Sequence, residues 1–99
     1  MTTSQTLIKA RDLLQQGWCQ GALFKQSKGK TRYCIVGAIH DVNQSHLMIR
    51  RCLRMVREAA GIEEWDVAAF NDAPGRKKSE ILKLMDDAIE LAKQEESKQ

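Results

Sequence analysis

Proline occurs once in this chain and cysteine three times, and no uninterrupted apolar run exceeds a few residues. Each scarcity removes a class of protein. A single proline with six glycines excludes a low-complexity chain. The short apolar runs exclude a membrane-spanning helix, which needs about 20 apolar residues in a row. The opening MTTSQTLIKARD has neither a basic start nor an apolar core, so no secretion signal is read and a cytoplasmic location is expected. Cys19, Cys34 and Cys52 are odd in number and fit no disulfide framework, so in a reducing compartment they read as free thiols. There is no C-x-x-C pair, and His40 and His46 stand too far apart for a usual zinc pair. No metal and no cofactor are expected.

What is present describes one domain. At 99 residues there is no room for a second core. The hydrophobic share of 42% with 29% charged residues suits a globular chain, and the net charge of +3 neither demands nor excludes nucleic acid. Leu7, Ala10, Leu13 and Leu14 recur at helical spacing, predicting a helix over 4–16 with Thr3 or Ser4 as cap and Gly17 as a left-handed end. Polar KQSKGK between aromatic flanks predicts a small hairpin or extended insert over 18–33. IVGAIHDV reads as a buried helix. Asn43 or Ser45 caps a run whose Ile49, Cys52, Leu53, Val56, Ala59 and Ala60 form an apolar stripe closed by Gly61. Residues 62–70 are ambiguous, with Trp65 and Phe70 as their aromatics. Asn71–Gly75 is read as a turn, since Pro74-Gly75 suits the centre of a type II turn. A last helix begins near Ser79, buries Ile81, Leu82, Met85, Ala88, Ile89 and Ala92, and gives way to a polar tail. The expectation is a mainly helical single domain of about four helices over 1–99. Its ordered core is 4–93 and its frayed tail 94–99.

Two phrases echo each other, WCQGAL from Trp18 and YCIVGAI from Tyr33. They raise the choice between a reactive cysteine and a packing device. Cys34 at a helix start, with His40 and then Asn71 or Asp72 downstream, imitates a Cys-His-Asn order, and a helix N-terminus lowers a thiol pKa. Cys34 and His40 on one helix lie nearly two turns apart, leaving His46 as the conceivable base. Inert burial is the simpler reading, with Gly-Ala admitting a neighbouring backbone. Arg50, Arg54 and Arg57, with Arg51 beside them, put cations on one helical face that could grip phosphates. The same face could equally be solvated and paired with Glu58, Glu63 or Glu64. Lys28, Lys30 and Arg32, and Arg76 to Lys78, make two further basic clusters. If all three converge, nucleic acid or an acidic protein becomes the better reading. In FNDAPGRKKSE, Asn71, Asp72 and Arg76 could bind a ligand, or serve the turn through side-chain bonds and an Asp72–Arg76 pair.

Together the W-C-Q-G-A-L, Y-C-I-V-G-A-I and F-N-D-A-P-G-R segments, ahead of E-I-L-K-L-M-D-D-A-I, resemble a bacterial and phage domain family of unknown function. The resemblance spans roughly Leu7 to Ala92 and singles out Trp18, Gly21, Cys34, Gly37, Asn71, Asp72, Pro74 and Arg76. It implies a fold and no mechanism. The loop between the two Gly-Ala segments is shorter than in that pattern. Lys77 stands where a Ser or Thr cap would pair with Glu80, at a cost of ~1 kcal/mol. The leading functional expectation is a small non-enzymatic binding or regulatory module acting on a protein partner through basic and turn surfaces. The alternative is a nucleic-acid-binding protein using the Arg50, Arg54, Arg57 face. A third class is a cysteine-dependent hydrolase centred on Cys34 with His46. No membrane partner is expected, and self-association is left open.

Overall fold

The computed structural model describes residues 1–63 and 66–98; Glu64, Trp65 and Gln99 lie outside the described residues. The elements run α1 Thr3–Gln16, β1 Phe24–Ser27, β2 Lys30–Tyr33, α2 Ile35–Val42, α3 His46–Ala60, α4 Val67–Asp72 and α5 Lys78–Ser97. The expected mainly helical fold with a hairpin after the first helix is present. The fifth helix is α4, which takes Asn71 and Asp72 out of the expected turn and places them at a helix end.

Helix α1 begins one residue earlier than its periodicity implies. Thr2 is its cap, and a reciprocal bond with Gln5 completes a capping box. Gly17 is extended rather than left-handed, with φ −170°, because the chain leaves α1 straight into a bridge to β2. Helix α1 buries Leu7, Ala10 and Leu14 against α5, which runs antiparallel to it. Three contacts fix that direction: Ser4 Oγ donates to Glu96 at 2.7 Å, Arg11 pairs with Asp86 at 2.6 Å, and Lys78 reaches the Gln15 carbonyl.

Helix α2, flanked by α1, α3 and α4, is the most apolar element, and its Ile35, Ala38 and Ile39 are fully buried. Removing an isoleucine side chain such as Ile35 or Ile39 from water contributes about 1.5–3 kcal/mol. Ser45 caps α3, and Ile49, Cys52, Met55 and Val56 form its buried stripe. Met55 joins that stripe, whereas Leu53, Ala59 and Ala60 lie at its half-buried margin. In α5 the buried face is Ile81, Leu84, Met85, Ala88, Ile89 and Ala92, with Leu82 half-buried.

The polar tail does not fray after Lys93. Helix α5 continues to Ser97 because two of its acids have distant partners: Glu95 pairs with Arg54, and Glu96 accepts from the Ser4 amide and hydroxyl. At the other end of α5, lysine has no acceptor to offer as a cap, but the second half of the box forms. The Glu80 carboxylate takes the Lys77 amide at 2.8 Å.

The hairpin pairs Phe24 with Tyr33, Lys25 with Arg32, Gln26 with Thr31 and Ser27 with Lys30. Its two-residue turn, Lys28-Gly29, has positive φ at both positions, 53° and 75°. That is the type I′ pattern, whose twist matches the strands. The ribbon is tied down at its base, where the Tyr33 amide donates to the Gly17 carbonyl and the Cys19 amide to the Tyr33 carbonyl.

Candidate functional site

The echoing phrases and the Asn-Asp-x-Pro-x-Arg segment converge on one side chain, Asn71. It is fully buried on α4 and uses its whole hydrogen-bonding capacity. Its Oδ1 accepts from the Trp18 indole at 2.9 Å and from the Ile35 amide at 3.1 Å. Its Nδ2 donates to the Cys19 carbonyl at 3.1 Å and to Asp72 Oδ1 at 2.9 Å. Two donors on one side and two acceptors on the other fix the orientation of the amide. Asp72 Oδ1 also takes the Gly21 amide at 3.0 Å. Gln20 donates to the carbonyls of Asn71 and Ala73, at 3.0 and 3.1 Å, closing the C-terminal end of α4.

Arg76 completes the same corner. Its Nε donates to the Phe70 carbonyl at 2.9 Å, its guanidinium lies 3.7 Å over the Phe70 ring, and it pairs with Glu80 at 3.3 Å. The expected Asp72–Arg76 pair is therefore replaced on both sides. The Pro74-Gly75 turn forms as expected, with Arg76 N–H donating to the Ala73 carbonyl and Gly75 at φ 79°. Three of the sequence-derived binding residues, Asn71, Asp72 and Arg76, are brought together, and their polar groups bond to the fold itself.

Cys34 is the N-cap of α2: its Sγ accepts the Gly37 amide at 3.3 Å, while Asn71 serves the Ile35 amide beside it. The helix start was expected to lower its pKa. Instead burial pushes the thiol above its ordinary range, outweighing the lowering pull of the Gly37 and Val36 amides. No histidine lines the cleft beside Cys34 or acts on its thiol. His46 opens α3 in solvent, beyond the far end of α2, which is about 12 Å long. Cys34 and His46 are thus not assembled as nucleophile and base.

Cys19 is also raised, first by burial and then by Cys34, and its Sγ donates to the Arg32 carbonyl at 3.5 Å. Burial pushes Cys52 up to about 12. All three thiols are expected to resist iodoacetamide at pH 8 in the native state and to label together on unfolding; a single fast Cys34 would contradict this assignment. The sign of the pH effect follows from the same burial. Cys52 stays protonated in the fold while the unfolded thiol ionises near pH 9. Its contribution to stability is therefore complete below pH 9 and is lost progressively towards pH 12. Urea midpoints across that window, compared between wild type and Cys52→Ala, are expected to show a shallower alkaline decline in the variant.

The three basic clusters do not converge. Arg54 is paired with Glu95 near the end of α5, and Arg50 and Arg51 are exposed beside it. Lys78 and the stem of Arg32 instead meet the C-terminal end of α1, at Gln15 and Gly17. From Lys78 to Glu95 is about 25 Å along α5. Lys25, Lys28, Lys30 and Arg32 stand exposed together on the hairpin.

Sequence reasoning passed over part of that hairpin. Residues 13–40 contain no Asp or Glu, a signal visible in the sequence. Leu23 and Phe24 are 52% and 56% exposed, which nothing in the sequence reveals. Beside them a cleft of about 230 Å³ is lined by Ala22, Leu23, Val36 and Ala68 together with Gly21, Cys34 and Asp72. A second cavity, about 480 Å³, lies between the start of α1, α3 and the end of α5. Among the described residues no His, Cys, Asp and Glu cluster could hold a metal, and no helix is long and apolar enough to cross a membrane.

The fold and this corner define a small helical domain whose hairpin is held to it through a buried asparagine. The chain belongs to the family of unknown function DUF6197, which matches residues 1–91. Comparison with curated proteins and with solved structures finds no match.

Proposed function

We propose that this chain is a small non-enzymatic binding module that engages an acidic protein partner through its hairpin. One observation carries the reading. Lys25 stands directly opposite Arg32 in the ribbon, inside a stretch of chain without a single acid. Like charges facing each other across strands are destabilising, and an anionic partner would offset that cost. The motif residues support the same reading from the other side, since their polar groups are used within the fold. On the strength of the motif resemblance we place the module in a bacterial or phage setting, and three free thiols support a reducing, cytoplasmic compartment.

The test compares polyglutamate with oligothymidylate as probes. Wild-type protein is expected to bind polyglutamate at low salt and to lose it as salt screens the cations. Lys25→Glu with Lys30→Glu is expected to lower that affinity by about tenfold or more. Stronger binding of oligothymidylate, lost on substitution of Arg50 and Arg54, would replace this reading with the nucleic-acid one.

A further inference from the structure

Resting on that reading, we infer that the partner's segment is an extended acidic strand that adds to the free edge of β1 and sets an aliphatic side chain into the cleft beside Leu23. The register determines which backbone groups are available. With a two-residue turn, the closing pair Ser27–Lys30 is hydrogen-bonded, so Lys25–Arg32 is too, while Phe24–Tyr33 and Gln26–Thr31 are not. The N–H and C=O groups of Phe24 and Gln26 therefore point away from β2. Among the described residues β1 has β2 as its single strand neighbour, and all four β1 residues are exposed. Those groups are the donors and acceptors that an added strand takes.

The two faces of the ribbon differ in kind. Lys25, Lys30 and Arg32 project on one face, whereas Phe24 and Tyr33 pair on the other beside Gln26, which donates to Thr31. A strand laid on β1 would therefore set acids over the cations and apolar residues next to Phe24. The cleft lined in part by Ala22, Leu23, Val36 and Ala68 adjoins the start of β1, where the next apolar side chain would arrive. Nucleic acid offers no partner for a strand edge and no aliphatic group for the cleft. A second copy of this chain would bring two edges bearing the same cations together, with like charges opposed. An acidic extended peptide satisfies the edge, the charge and the cleft at once.

The probe is a short capped peptide alternating Glu and Val, set against the same peptide N-methylated on alternate residues. Backbone methylation removes the donors that pair with an edge and leaves the charge intact. The unmodified peptide is expected to move the amide resonances of Phe24 and Gln26 and to slow their hydrogen exchange. The methylated peptide is expected to bind about tenfold or more weakly. Equal affinity for both peptides, with the loss on Lys25→Glu and Lys30→Glu intact, would overturn strand addition and leave the acidic-partner reading standing. Equal affinity of wild type and the charge-reversed variant would overturn both. No shift at Phe24 and Gln26 at millimolar peptide, or self-association through β1 in its place, would also overturn strand addition.

Discussion

Asn71→Ala is expected to lower stability by about 3–5 kcal/mol, a loss comparable with the whole stability of a weak domain. The truncation strands the Trp18 indole, the Ile35 amide and the Cys19 carbonyl, which are part-buried or buried where Asn71 meets them. Each stranded buried group costs about 1–3 kcal/mol, and water can reach some of them once the side chain is gone. Asn71→Asp separates hydrogen bonding from size. The new carboxylate keeps both acceptors but faces the Cys19 carbonyl and Asp72 with no donor. It is expected to be about as damaging at neutral pH and to recover in part in acid, where a protonated carboxyl donates again. Urea unfolding with Trp fluorescence and the indole proton shift of Trp18 reports both. A loss under about 1 kcal/mol for Asn71→Ala would show that water substitutes for the side chain and that the corner is not the anchor of the hairpin.

Gly37→Ala carries the second large effect, and its sign is opposite to the usual one. Within a helix this exchange ordinarily gains up to about 1 kcal/mol. Here a Cβ would sit 1.9 Å from the Leu23 carbonyl oxygen and 2.7 Å from its carbon. The obstacle is backbone, and the Leu23 carbonyl is itself bonded to the Cys34 amide at 3.1 Å. Either α2 or the segment before β1 must give way, and a loss of about 3 kcal/mol or more is expected. Thermal unfolding gives the magnitude. Exchange of the Cys34 amide identifies the route, since a displaced Leu23 frees it while a shifted α2 need not. Unchanged stability together with a protected Cys34 amide would mean that the two backbones do not meet so closely.

These two residues also mark what could be learned from the sequence and where it stopped. Helices α1, α2, α3 and α5 were legible because apolar spacing and capping residues act within a few positions of each other. Helix α4 was not. Its six residues are too short for periodicity to show, and its polar end is held by Gln20, far away in the chain. The end of α5 misled for a similar reason, since a polar tail frays unless distant groups hold it, and Arg54 and Ser4 do. For the site, the sequence singled out Asn71, Asp72, Arg76 and the cysteine phrases together without showing that Asn71 and Asp72 bond to those phrases while Arg76 bonds to Phe70 and Glu80. Buried polar satisfaction is a tertiary property, and no local pattern distinguishes an asparagine aimed outward from one aimed inward. The packing reading of Cys34 rested on burial, and its role as a helix cap depends on Gly37 three residues on, a spacing normally associated with Ser or Thr.

The antiparallel seam between α1 and α5 has a consequence for synthesis. Ser4 and Glu96 are 92 positions apart, and Arg11 and Asp86 are 75 apart. Of the described helices, the first to emerge from a ribosome finds its main partner in the last. Until α5 is made, α1 has only α2, α3 and β2 to pack against, and its apolar face of Leu7, Ala10 and Leu14 stays partly uncovered. Such a nascent chain exposes apolar surface of the kind that aggregates or that chaperones cover. A truncation that removes the second half of α5 is therefore expected to leave a sticky, incompletely closed chain rather than a smaller folded one.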